Sequence, residues 1–124
     1  MFSAAVQITF SAAHHHPGLT PDCGRVHGHN YRAEATAEAE SLAEGMVVDF
    51  TLLREKLKEA VREWDHRLLN ETEDFRSLPP TTEAIARRLY EKLDAHLPPG
   101  RYRLREVKIW ETDDCWASYV KSRE

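Results

Sequence analysis

Hydrophobic and polar residues alternate along two stretches in the first third of the chain. Val6, Ile8, Phe10 and Ala12 are spaced by two within residues 2 to 13. From His29 onward Tyr31, Ala33, Ala35, Ala37 and Ala39 alternate with Arg32, Glu34, Thr36, Glu38 and Glu40. A period of two is that of a half-buried strand, because successive side chains leave a strand on opposite faces. The intervening loop, Pro17 to Gly24, carries Pro, Gly, Thr and Asp, the residues of turns. Glu44-Gly45 then turns the chain into a short predicted strand, Met46-Val47-Val48.

The period changes after Asp49, which has the chemistry of a helix N-cap. Leu53, Leu57, Ala60, Val61 and Trp64 fall at helical spacing and predict a helix over about 50–64. A polar loop over 71–80 closes on Pro79-Pro80, and Thr81-Thr82-Glu83 opens a second helix with a capping hydroxyl and an acid in its first turn. Its apolar face is Ile85, Leu89, Leu93 and Leu97, and Pro98-Pro99-Gly100 stops it. Two more strands, Tyr102 to Thr112 and Cys115 to Val120, flank the turn Asp113-Asp114. Strand, strand, helix, helix, strand, strand describes an α+β domain with both helices on one face of an antiparallel sheet. With no internal repeat or linker, residues 1–124 read as one domain. The edges of so small a sheet need cover, and oligomerisation is the expected cover.

Composition narrows the function classes. Lys and Arg number 17 against 21 Asp and Glu, a net charge of −4, which gives no reason to expect nucleic acid as a partner. No run of about 18 apolar residues and no signal-like start is present, so no membrane is expected and the expectation is a soluble, cytoplasmic protein. Two cysteines make no disulfide framework. Cys23, beside histidines, reads as a chemical group, and Cys115 as a buried structural thiol.

The chemistry is concentrated in Cys23-Gly24-Arg25-Val26-His27-Gly28-His29. On a strand His27 and His29 share a face, and an antiparallel hairpin would bring His14, in phase with Phe10, opposite them. His16 has the same parity as His14, but Pro17-Gly18 follows at once, so it is expected where the strand has already broken. Three imidazoles with a fourth position open is the donor set of a catalytic zinc. Glu111, in phase with Val107 and Ile109, is a carboxylate directed at the core or a pocket, where it needs a partner. Taken alone, Asp65-His66 reads as a helix C-terminal pair, and Thr81, Thr82 and Glu83 are explained by capping.

Phe10-Ser11-Ala12-Ala13-His14, the Cys23 to His29 segment, Asp65-His66 followed by Leu69-Asn70, Pro80-Thr81-Thr82-Glu83 and Trp110-Glu111-Thr112-Asp113 together resemble the successive motifs of the 6-pyruvoyl-tetrahydropterin synthase and 6-carboxy-5,6,7,8-tetrahydropterin synthase family. The likeness runs over nearly the whole chain. Val26 and Trp64 stand where members commonly carry leucine. The resemblance implies a tunnelling fold (T-fold), with a four-stranded antiparallel sheet in each chain, three chains closing a barrel, and two trimers stacked into a homohexamer with active sites between subunits. It implies zinc held by His14, His27 and His29, and 7,8-dihydroneopterin triphosphate as substrate. It also implies Cys23 as the proton-abstracting thiolate, Asp65 and His66 as relay partners from a neighbouring chain, and Glu111 with Thr81 and Thr82 as pterin-binding residues.

The expected activity is the lyase that makes 6-carboxy-5,6,7,8-tetrahydropterin with loss of triphosphate and acetaldehyde, a step toward queuosine and related deazapurines. This branch is preferred for a short chain whose Arg, Ala, Leu and Glu content looks prokaryotic. The alternatives are triphosphate elimination to 6-pyruvoyl-tetrahydropterin in a biopterin pathway, a zinc-dependent hydrolase, and a non-catalytic zinc-stabilised module. Members that cleave dihydroneopterin derivatives carry glutamate in place of the cysteine, so Cys23 argues against that branch.

Overall fold

The computed structural model describes residues 1–18 and 24–122. The two alternating stretches form β1 (Phe2–His14) and β2 (His27–Ala39), antiparallel over their full length from Phe2 opposite Ala39 to His14 opposite His27. Val6, Ile8, Phe10 and Ala12 of β1 and Tyr31 and the alanines of β2 are buried on one face. Short alanine side chains at 33, 35 and 37, with no exposure at all, let the helices lie close on the sheet.

Helix α1 (Phe50–Val61) starts where Asp49 accepts the Thr51 N–H at 2.8 Å, and α2 (Thr82–His96) where Thr81 accepts the Ala84 N–H at 3.1 Å. Each cap satisfies a donor that the first helical turn leaves without a partner. Leu53, Leu57, Ile85, Leu89 and Leu93 pack onto the sheet without exposure. Between the helices lie β3 (Arg67–Leu68) and two short 3-10 turns, Leu69–Glu71 and Glu73–Phe75. The chain closes with β4 (Arg103–Thr112) and β5 (Cys115–Val120), and the sheet order is β3-β1-β2-β4-β5.

Four details differ from the sequence expectation. The sheet has five strands, not four, because Arg67–Leu68 pairs parallel with Ala12–Ala13. Met46–Val48 forms no strand. Ala43 and Met46 exchange backbone hydrogen bonds of 2.9 and 3.0 Å around Glu44 and Gly45, both at positive φ, and Asp49 starts the helix three residues later. Helix α1 stops at Val61, and the chain continues in turns through Trp64 and Asp65. Cys115 is exposed, not buried. It follows the Asp113-Asp114 turn directly, and Tyr119, four residues on, is the β5 side chain that meets α2, at Tyr90.

A polar knot ties the inter-helix segment to α2. Asp74 accepts the Trp64 indole N–H at 2.9 Å, the Arg88 Nε–H at 2.6 Å and a Lys92 ammonium bond at 3.2 Å, and the Lys92 ammonium also lies 4.6 Å above the Trp64 ring. Leucine at position 64 would lack the N–H that this carboxylate uses. Burial pushes the Asp74 carboxyl up, but the hydrogen bonds from Arg88 and Trp64 and the Lys92 charge outweigh it and hold it below its ordinary value. Asp74→Ala is expected to cost roughly 2–4 kcal/mol in urea unfolding at neutral pH, since it strands an indole N–H and a mostly buried Lys92. A depressed folded-state pKa stabilises the fold above the unfolded value near ~3.9 and loses that stabilisation as pH falls through the folded value. The difference between wild type and Asp74→Asn should therefore shrink below about pH 4.

Candidate metal centre

The C-terminal end of β1 and the N-terminal end of β2 meet at His14 and His27, and strand alternation places His29 on the same face. Their ring centroids are 4.6 to 5.1 Å apart. A fourth group arrives from β4. The β4–β5 ladder slips between Trp110 and Thr112, leaving Glu111 as the extra residue of a bulge, and bulges re-aim side chains. One ligand atom from each of His14, His27, His29 and Glu111 lies within 4.8 Å of all the others. The position expected to be open thus has the Glu111 carboxylate beside it.

Hydrogen bonds fix two of the ring tautomers. His14 Nδ1 lies 2.8 Å from the Pro80 carbonyl and His27 Nδ1 2.7 Å from the Arg25 carbonyl. A carbonyl only accepts, so each Nδ1 carries a proton, and in the neutral ring that leaves the lone pair on Nε2. The Nε2 atoms of His14 and His29 are buried without a hydrogen bond, yet sit 3.2 and 3.3 Å from Glu111 Oε1. A carboxylate oxygen facing the Nε2 lone pair of a neutral His14 is repulsive unless a cation lies between them. Separations near 3.3 Å are also those of adjacent ligands on a tetrahedral ion with bonds of about 2.0 Å. The group can hold a metal ion.

The surroundings of His29 favour its neutral ring. Burial pushes the His29 pKa down; Glu111 opposes it and the neighbouring His14 and His27 add to it. Tyr31 floors the site, its ring 5.4 Å from that of His29 and stacked at 5.1 Å on Phe10. Burial, with the Glu111 charge second, pushes the Tyr31 phenol well above its ordinary value, so it stays protonated.

The other expected site residues are placed unevenly. Thr81 and Thr82 line a cavity of about 170 Å³ with His14, His27, Glu111 and also His16. The Thr81 oxygen there also accepts the cap bond of α2. Asp65 and His66 lie outside the four-residue cluster. Asp65 Oδ1 accepts the Ser11 N–H at 2.9 Å and stands 3.0 Å from His66 Nδ1, while the His66 N–H donates to the Ser11 carbonyl. This holds His66 at φ 62° with its side chain 80% exposed. Cys23 lies outside the described residues.

Sequence reasoning missed the supports. Asn70 was visible as part of a motif but had no role, and its side chain grips the His15 peptide at both ends, accepting from N–H and donating to C=O at 3.0 Å each. The Pro80 carbonyl that orients His14 had no sequence signal at all.

A sequence model of the family described as 6-pyruvoyl tetrahydropterin synthase matches residues 3–122. A 6-carboxy-5,6,7,8-tetrahydropterin synthase from Synechocystis is 34% identical over 123 residues, covering 94% of this chain and 92% of its own. A dihydroneopterin monophosphate aldolase from Pyrococcus furiosus is 36% identical over 108 residues, covering 87% and 88%. Among solved structures, the 6-pyruvoyl tetrahydropterin synthase of Caenorhabditis elegans superposes with a TM-score of 0.85 at 28% identity, over 98% of this chain and 96% of that one. The architecture expected from the motifs is the one observed, with the fifth strand added.

Proposed function

We propose that this chain, which belongs to the 6-pyruvoyl tetrahydropterin synthase family, is a zinc-dependent lyase that converts 7,8-dihydroneopterin triphosphate to 6-carboxy-5,6,7,8-tetrahydropterin, releasing triphosphate and acetaldehyde. The observation that carries the reading is the convergence of three imidazoles and a carboxylate on one point, two of the rings having carbonyl partners on Nδ1. That donor set fits zinc, with His14, His27 and His29 as the protein ligands. The chemistry zinc supplies when bound is Lewis acidity toward the hydroxyls of the substrate side chain.

The remaining roles fall to the chain's own residues. Cys23, as thiolate, takes the proton from the carbon beside a side-chain hydroxyl. Asp65 orients His66 and fixes its tautomer, as a carboxylate does for histidine in other triads. Glu111 can accept paired hydrogen bonds from the 2-amino group and ring N–H of a pterin, and Thr81 and Thr82 line the same cavity. The exposure of His66 supports its use by a neighbouring chain in a homohexamer. So do the sheet edges at β5 and along the first half of β1. Among the described residues no helix is long and apolar enough to cross a membrane, and we place the enzyme in the cytoplasm.

The test is anaerobic incubation of zinc-loaded protein with 7,8-dihydroneopterin triphosphate, followed by mass spectrometry of the pterin and an acetaldehyde assay. A 6-carboxy product with acetaldehyde is expected. A pterin that keeps its three-carbon side chain would assign the chain to the pyruvoyl branch instead. Cleavage between the first and second side-chain carbons, leaving a 6-hydroxymethyl pterin and a two-carbon aldehyde that keeps the phosphate ester, would assign it to the aldolase branch represented by the Pyrococcus relative.

A further inference from the structure

We propose that His16 is a substrate-positioning residue whose Nδ1 hydrogen-bonds a polar group of the pterin substrate; the proposal rests on the reading of the His14–Glu111 cavity as the pterin site. Parity puts His16 on the face of His14, and the turn at Pro17-Gly18 ought to swing it away. The structure shows why it stays. Asn70 meets the peptide of His15 with a donor and an acceptor, both at 3.0 Å, as a neighbouring strand would. This bond pair takes over where the pairing of β1 with β3 ends at Ala13, two residues earlier. The backbone is held through His15, and the imidazoles on either side of it, His14 and His16, line one cavity.

Their situations within that cavity differ. His14 has the Pro80 carbonyl on Nδ1 and belongs to the metal cluster. His16 is not part of that cluster. Its Nδ1 is withdrawn from solvent and has no hydrogen-bond partner among the described residues. Buried polar atoms in folded proteins are nearly always paired, so an unpaired one lining a cavity marks where a ligand atom belongs. An imidazole Nδ1 can donate or accept according to tautomer, and hydroxyl and ring-nitrogen groups of a pterin suit either. Thr81 and Thr82 line the same cavity, so a ligand there would be contacted by residues from both β1 and α2.

The experiment compares zinc-loaded wild type with His16→Ala, His16→Asn and His16→Gln. An asparagine amide reaches roughly where Nδ1 sits, whereas glutamine reaches toward Nε2. Four quantities are read: zinc per chain, the Kd for neopterin by fluorescence, and KM and kcat with 7,8-dihydroneopterin triphosphate. All four proteins are expected to hold the same zinc. His16→Ala and His16→Gln should weaken neopterin binding and raise KM by about tenfold, kcat changing less, and His16→Asn should recover most of the loss. Neopterin binding by His16→Ala equal to wild type would overturn the proposal, as would loss of its zinc, which would make His16 a ligand. If zinc-loaded wild type binds no pterin, the reading of the cavity falls and takes the role of His16 with it.

Discussion

Replacing His14 by alanine is expected to remove stoichiometric zinc and to reduce turnover at least about a thousandfold, because Lewis-acid stabilisation is worth several kcal/mol and each 1.4 kcal/mol is tenfold in rate. His14 is the most buried member of the cluster and the one held through Pro80 to the start of α2. Without it two imidazoles and a carboxylate remain, all three only half-buried. Zinc per chain by competition with a chromophoric chelator, alongside turnover, reads both effects. Full zinc occupancy in His14→Ala would remove the assigned ligand set. The same experiment separates an enzyme from a zinc-stabilised module. The main core of α1, α2 and the sheet is built from apolar contacts that do not include the cluster. Chelation should therefore abolish turnover while the far-ultraviolet circular dichroism stays native, whereas a module folded by its metal would unfold.

What the sequence revealed and what it hid divides by the range of the interaction. Alternation is a local property. Val6 to Ala12 and Tyr31 to Ala39 therefore disclosed both long strands, their buried faces and the juxtaposition of His14 with His27. The caps Asp49 and Thr81 act within three residues and were equally legible. Glu111 was visible as a carboxylate in phase with a buried face, but the bulge that directs it at His14 and His29 depends on β5 and left no pattern. His16 was set aside on the strength of Pro17-Gly18. It does lie beyond the end of β1 and outside the cluster; what left no local pattern is that Asn70, 55 positions from His15, holds the backbone there. The fifth strand is two residues long, too short to show any period. The expectation of a buried Cys115 followed residue type, whereas its place beside an exposed turn on the edge strand decided the outcome.

Cys23→Ala is expected to lower turnover by about 10² or more at unchanged zinc content, since a positioned base contributes on the order of 10²–10⁴ in rate. A zinc hydrolase, whose nucleophile comes from water, would keep most of its activity in that variant. His66→Ala should fall in the same direction and also keep its zinc, because His66 lies outside the metal cluster. The two variants together test where the site is assembled. If Cys23 of one chain works with His66 of the next, unfolding and reassembling equal amounts of the two inactive variants creates some sites with both residues intact. Random mixing in a closed ring restores about a quarter of the wild-type sites. Were both residues to act within a single chain, every site would lack one of them and mixing would recover nothing. Recovery near a quarter would also explain the geometry at His66. Its imidazole, held at positive φ by Asp65 and the Ser11 peptide, is 80% exposed and lies outside the four-residue cluster of the described residues.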